Sequence, residues 1–137
     1  MTDAYSVLAP AVGQQLPPLT IDVTTRLIVS GALASRDFQD VHHDVDGARA
    51  AGSPDIFMNI LTSNGLVGRY VTDWAGPQAT LDGISIRLGV PSRPGSTLAF
   101  SGQVTSVSDD GRAATVQVCG SNELGDHVTG TVEVSWP

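Results

Sequence analysis

Residues 55–74 carry apolar side chains around most of a helical wheel. Ile56, Ile60, Val67, Val71 and Trp74 fall near one face, and Phe57, Met58 and Leu61 widen it. A helix apolar on most sides belongs inside a fold, not on its surface. The chain beyond this helix is strand-like. Residues 80–90 alternate through Ile84, Ile86 and Leu88, and residues 97–107 through Leu98, Phe100 and Val104. Residues 113–120 alternate through Ala114, Val116 and Val118, and residues 127–136 through Val128, Val132, Val134 and Trp136. Alternation with period two puts one face of each strand on a core. Asp109-Asp110-Gly111 and residues 122–125 read as hairpin turns between these strands. Gly65 and Gly68 inside the helix lower its intrinsic stability but permit close backbone approach. A sheet wrapped against that flank would account for both.

The front of the chain is less regular. Gly13 and Pro17-Pro18 mark residues 1–18 as irregular, and residues 19–137 are expected to form the one domain that 137 residues can hold. A short strand is predicted over 19–25 and a short helix over 26–35, where a strand pattern competes. Residues 36–44 read as a polar loop, and 45–51 as a helix closed by Gly52 and Ser53-Pro54. The long helix starts at Asp55, just after Pro54, and stops at Gly76-Pro77. One buried helix gripped by a curled antiparallel sheet is an α+β arrangement of the hotdog type.

Composition excludes several functions. The formal charge is −7, all seven basic residues are arginines, and such a surface repels a phosphate backbone, so nucleic acid is not expected as a partner. The same charge is awkward for coenzyme A unless arginines gather locally or a partner chain supplies them. No run is long and apolar enough to span a bilayer, and residues 1–12 lack the basic start of a signal peptide. Cys119 is the single cysteine, so no internal disulfide forms and a reducing, cytoplasmic setting is expected.

The chemistry concentrates in residues 36–44, Arg-Asp-Phe-Gln-Asp-Val-His-His-Asp, where three carboxylates and two imidazoles lie directly ahead of the buried helices. Polar loops contain such residues without using them, so spacing alone does not establish a site. Metal binding finds no recognisable ligand spacing here and no thiolate nearby. Cys119 sits mid-strand among valines and reads as a packed small hydrophobe. No Gly-x-Ser-x-Gly elbow and no phosphate-cradling glycine loop is present.

Asp37, Phe38, Gln39, His42 and Asp44 stand where the hydratase motif of the MaoC-like family has an Asp, an aromatic, an amide, a His and an Asp. Residues 34–44, 55–62, 69–77, 87–91 and 124–129 further resemble, within that family, the small subunits of actinobacterial steroid side-chain hydratases. The resemblance runs from about Ile28 to near the C-terminus.

The resemblance implies hydration of a 2-enoyl-CoA thioester, a steroid side-chain one in sterol degradation. Asp37 and His42 would be the catalytic pair, holding one water between them, because hydration needs a base for water and an acid for Cα. Backbone N–H groups at the start of the long helix would hold the enolate-like oxygen. The family usually has His-Gly there, and this chain has Met58-Asn59. Gln39 would bond near the water or the carbonyl, and Asp44 would assist, although both could equally fix the loop. Arg69, Arg87 and Arg93 are the candidates for the phosphates of coenzyme A, against the plain reading of solvated surface charges. His43 reads as loop-fixing, His127 as structural or interfacial, and Trp74 and Trp136 as packing residues. No metal and no cofactor beyond the substrate's own coenzyme A is expected. The partner would be a second MaoC-like subunit lacking the full motif, in a heterodimer or heterotetramer. Two other readings stay open: a homo-oligomeric (R)-specific hydratase of fatty enoyl-CoA, and a non-catalytic hotdog subunit completing a partner's site. A hotdog thioesterase would place a carboxylate within the long helix, and none lies between Asp55 and Asp73.

Overall fold

The computed structural model describes residues 9–137, so the expectation for the first eight residues lies outside them. Five strands and three helices run in the order β1 (Leu19–Asp22), α1 (Thr25–Ala34), α2 (Val45–Ala50), α3 (Ile60–Ala75), β2 (Thr80–Leu88), β3 (Thr97–Val107), β4 (Ala113–Asn122) and β5 (Gly125–Ser135). A 3-10 turn, Asp40–His42, separates α1 from α2. The strands form one antiparallel sheet in the order β1-β3-β4-β5-β2. Residues 9–18 are irregular apart from a bridge between Gln15 and Gln103.

The alternation does what period two demands. Leu98, Phe100 and Val104 of β3, Val116 and Val118 of β4, and Val128, Val132 and Val134 of β5 are all buried on the face that grips α3. They meet Val67, Tyr70, Val71 and Ala75 of that helix in one core. Each such side chain, fully buried, contributes roughly 1.5–3 kcal/mol relative to exposure. Tyr70 stacks on Phe100, and Trp136 donates from its indole to the Ala75 carbonyl at 2.9 Å, closing the C-terminal end of α3. Gly68 is where the sheet comes close: a Cβ there would lie 3.2 Å from Ile84 and 3.5 Å from Leu81. Gly65 faces open space, so close approach does not explain it.

Two expectations about the long helix need correction. It starts at Ile60, not at Asp55, because residues 55–59 form an irregular strap, bent at Asp55 and extended at Asn59, whose backbone groups are claimed elsewhere. The Phe57 N–H donates to Val41 O at 3.0 Å and the Met58 N–H to Ser92 O at 2.9 Å. The helix is also not enclosed all round, since Ile60 and Leu61 in its first turn are half exposed. Its N-terminal end opens on a cleft.

Candidate active site

The loop that carries Asp37 is held by the way α1 ends. Arg36 takes a left-handed conformation (φ 56°), its N–H donates to Leu33 O at 3.1 Å, and the Asp37 N–H donates to Ala32 O at 2.9 Å. These two bonds are the closure that usually needs glycine at the left-handed position. They fix the carboxylate's backbone directly past the helix.

His42 sits at the end of the 3-10 turn, 6% exposed, with its ring edge-on to Phe57 at 5.0 Å. Its Nδ1 lies 2.7 Å from the Phe57 carbonyl oxygen. A carbonyl only accepts, so Nδ1 carries the proton and Nε2 is left to face the cleft. Nε2 lies 3.3 Å from Oδ2 of Asp37. The Asp37 carboxylate also accepts from Asn59 Nδ2 at 3.2 Å and, weakly, from the Gln39 N–H at 3.4 Å. Asp37 and His42 therefore converge, and both line a cleft of about 330 Å³ together with Gln39, Phe57, Met58, Ile60, Leu88, Val90, Pro91 and His127.

The other expected residues divide. Gln39 and Met58 line the cleft; Asn59, the N-cap of α3, does not line it but lies between the lining residues Met58 and Ile60 in the chain and reaches Asp37. The Met58 N–H is held by Ser92 and the Thr62 N–H by the Asn59 cap, which leaves the Ile60 and Leu61 N–H groups at the head of α3 outside the helix's own bonding. Asp44 is not brought to the cleft. Its Oδ1 accepts from the Asp46 and Gly47 N–H groups at 3.1 and 3.2 Å and caps α2. Among the arginines, Arg69 pairs with Asp73 at 3.5 Å along α3, an i,i+4 arrangement on an exposed surface. Arg87 lies exposed on β2 beside the cleft-lining Leu88, and Arg93 comes soon after Pro91 with its Nε buried and unpartnered among the described residues. None of the three arginines lines the cleft. His43 bonds to Phe38 O at 3.0 Å, which makes it loop-fixing.

His127 is the residue that sequence reasoning undervalues. It is 2% exposed, its Nδ1 donates to Val90 O at 2.7 Å, and its Nε2 accepts from Ser63 Oγ at 2.8 Å. Burial pushes its imidazole below the ordinary histidine value, with the Val90 bond pulling the other way. The ring ties α3 to the segment after β2 that forms one wall of the cleft. Ser63 lies 64 positions away, so no local spacing signals the pair.

The cleft-lining Ile60 and Leu88 are 50% and 38% exposed, and Leu61 and Phe38, next in the chain to lining residues, are 51% and 65% exposed. Strand β2, beside them, is an edge of the sheet. Among the described residues no group of three or more His, Cys, Asp or Glu is arranged to hold a metal ion, and no helix is long and apolar enough to cross a membrane.

Comparison with known proteins gives the family and the fold. The 3-oxo-4,17-pregnadiene-20-carboxyl-CoA hydratase beta subunit of Mycobacterium tuberculosis is 60% identical over 124 residues, covering 90% of this chain and 95% of that protein. A chain in the crystal structure of the ChsH1-ChsH2 complex from the same organism superposes with a TM-score of 0.89 at 58% identity, covering 93% of this chain and 98% of its own. The (R)-hydratase from A. caviae involved in PHA biosynthesis shares the hotdog fold, with a TM-score of 0.84 at 22% identity over 93% of this chain and 97% of its own. The family model described as MaoC like domain matches residues 8–126, and the chain belongs to that family.

Proposed function

We propose that this chain is the catalytic subunit of a heteromeric hydratase that adds water across the double bond of a steroid side-chain 2-enoyl-CoA. The observation that carries the reading is the 3.3 Å approach of Asp37 Oδ2 to His42 Nε2 at the mouth of a cleft headed by the N-terminus of α3. The steroid acyl group is supported by the activity for which the 60%-identical mycobacterial subunit is named, and the second subunit by the two-component complex that contains the 58%-identical chain.

With Nδ1 of His42 bonded to the Phe57 carbonyl, Nε2 is left to face Oδ2 of Asp37 at 3.3 Å, and one water can rest against both. A water resting against this pair gives up a proton to it as the water oxygen bonds to Cβ. The π electrons move toward the thioester, and the enolate-like oxygen meets the first-turn amides of α3. The pair returns a proton to Cα, so atoms and charges balance over the cycle. No resident cofactor takes part, since coenzyme A arrives with the substrate. Arg87 and Arg93 remain the candidates for its phosphates, since Arg69 is paired with Asp73, and Asp44 keeps to its capping role. The apolar rim and the open β2 edge are where a second hotdog subunit would seat and widen the cleft for a polycyclic group. A cytoplasmic setting accompanies this reading, supported by the lone unpaired Cys119.

The test is to purify the tagged chain from its host with whatever it retains. Turnover of 3-oxo-4,17-pregnadiene-20-carboxyl-CoA and of crotonyl-CoA is then compared for the complex and for the chain alone. Steroid turnover confined to the complex is expected. Good crotonyl-CoA turnover by the isolated chain would point to the homo-oligomeric fatty hydratase instead. Undiminished steroid turnover after replacing Asp37 and His42 with Ala would leave only a non-catalytic subunit.

A further inference from the structure

Asn59 does more than its position at a helix start requires, and its two ends can be told apart. The Thr62 N–H donates to Oδ1 of Asn59 at 3.1 Å, and a backbone N–H has no acceptor capacity. The amide is therefore oriented by the helix itself, with its oxygen over the first turn and its nitrogen pointing away. That nitrogen reaches Ser35 Oγ at 2.9 Å and Asp37 Oδ2 at 3.2 Å. The Ser35 hydroxyl donates its own proton to Gly31 O at 2.6 Å, so its oxygen is free to accept. Asn59 is 1% exposed, so water cannot substitute for either bond. The oxygen that receives the amide, Oδ2, is the one facing His42.

We propose that Asn59 is a positioning residue for hydration: its amide oxygen caps α3 while its amide nitrogen sets the Asp37 carboxylate against His42, at a fixed distance from the helix start. This rests on the hydratase reading above. Among residues that cap helices well, Ser, Thr, Asp and Asn, only Asn accepts and donates through one planar group. Asp would cap equally well but set a second carboxylate beside Asp37. Ser would cap but offer the carboxylate no amide. Glycine would do neither.

The test uses the intact complex with Asn59→Ser and Asn59→Asp, both of which keep the helix cap, beside Asp37→Ala and His42→Ala. Melting temperature, kcat and KM are measured for 3-oxo-4,17-pregnadiene-20-carboxyl-CoA. Asn59→Ser is expected to lower kcat by roughly ten- to a hundredfold, the value of one hydrogen bond to a charged group, with KM within about twofold. Asn59→Asp should lower kcat further and, because it buries a second carboxylate beside Asp37, lower the melting temperature as well, so the comparison of kcat with stability is read from Asn59→Ser. Full kcat in Asn59→Ser, while Asp37→Ala and His42→Ala are dead, would overturn this inference alone. A kcat loss that merely tracks a loss of melting temperature would also overturn it, reducing Asn59 to a cap. Undiminished turnover in Asp37→Ala and His42→Ala would overturn the hydratase reading and this inference with it.

Discussion

The Phe57 carbonyl accepts from Nδ1 of His42 at 2.7 Å and so decides which nitrogen of that ring meets Asp37. If the two groups hold the same water between them, they act as a unit. Asp37→Asn and His42→Ala should each lower kcat by about 10²–10⁴-fold, the usual share of general acid–base catalysis. The double variant should lose little more than either single one. Steady-state rates of the three variants check this, and losses that multiplied would show two independent groups.

His127 predicts a pH dependence of stability. Its imidazole titrates below the ordinary value in the folded chain because it is buried. In the unfolded chain it takes up a proton near pH ~6.5. Below that pH the unfolded state binds more protons than the folded one, so stability falls with pH until the folded group titrates as well. The contribution is fully present above the unfolded value. Calorimetry on the parent and His127→Gln should show a gap in melting temperature at about pH 8 that narrows toward about pH 5. A constant gap would mean that the ring is protonated as easily inside the fold as outside it.

Arg36 holds a left-handed conformation at the close of α1, where a side chain is unfavourable. Arg36→Gly should stabilise the chain by up to about 1 kcal/mol, less the extra entropy that glycine loses on folding. Chemical denaturation reads this directly. A destabilised variant would assign the guanidinium a contact that outweighs the strain.

Gly31 marks the crossing of α1 over α3. A Cβ there would run into Thr62 Oγ1, and that hydroxyl itself bonds to Asn59 Oδ1. Gly31→Ala should therefore cost roughly 1–3 kcal/mol through overpacking. Adding Thr62→Ala should recover part of the loss, giving a favourable coupling in a double-mutant cycle. Independent, additive losses would place the two residues out of contact.

The strands are legible in the sequence because each buries one face, and the alternation of Val116 and Val118 or of Val132 and Val134 states this outright. The acid/base pair is legible only by family resemblance. Its geometry depends on Phe57, fifteen positions away from His42, and no periodic pattern encodes that contact. The start of α3 misleads for a related reason. Asp55 after Pro54, with Ile56, Phe57 and Met58 behind it, has the local look of a helix, but Val41 and Ser92 take the hydrogen bonds that a helix would need. His127 reads as structural, without a place in the cleft wall, because Ser63 and Val90 are both remote in the chain. The Arg69–Asp73 pair, by contrast, is open to inspection as an i,i+4 spacing.

The strap ahead of α3 has a mechanical consequence. Phe57 sets the His42 ring, Asn59 sets the Asp37 carboxyl, and the next peptide begins the helix. One short piece of backbone thus orients the His42 ring, the Asp37 carboxyl and the first amides of α3. Asp37 is anchored to α1 and His42 to the 3-10 turn, so a displacement of this piece relative to either would open the 2.7 Å and 3.2 Å bonds that orient the two side chains.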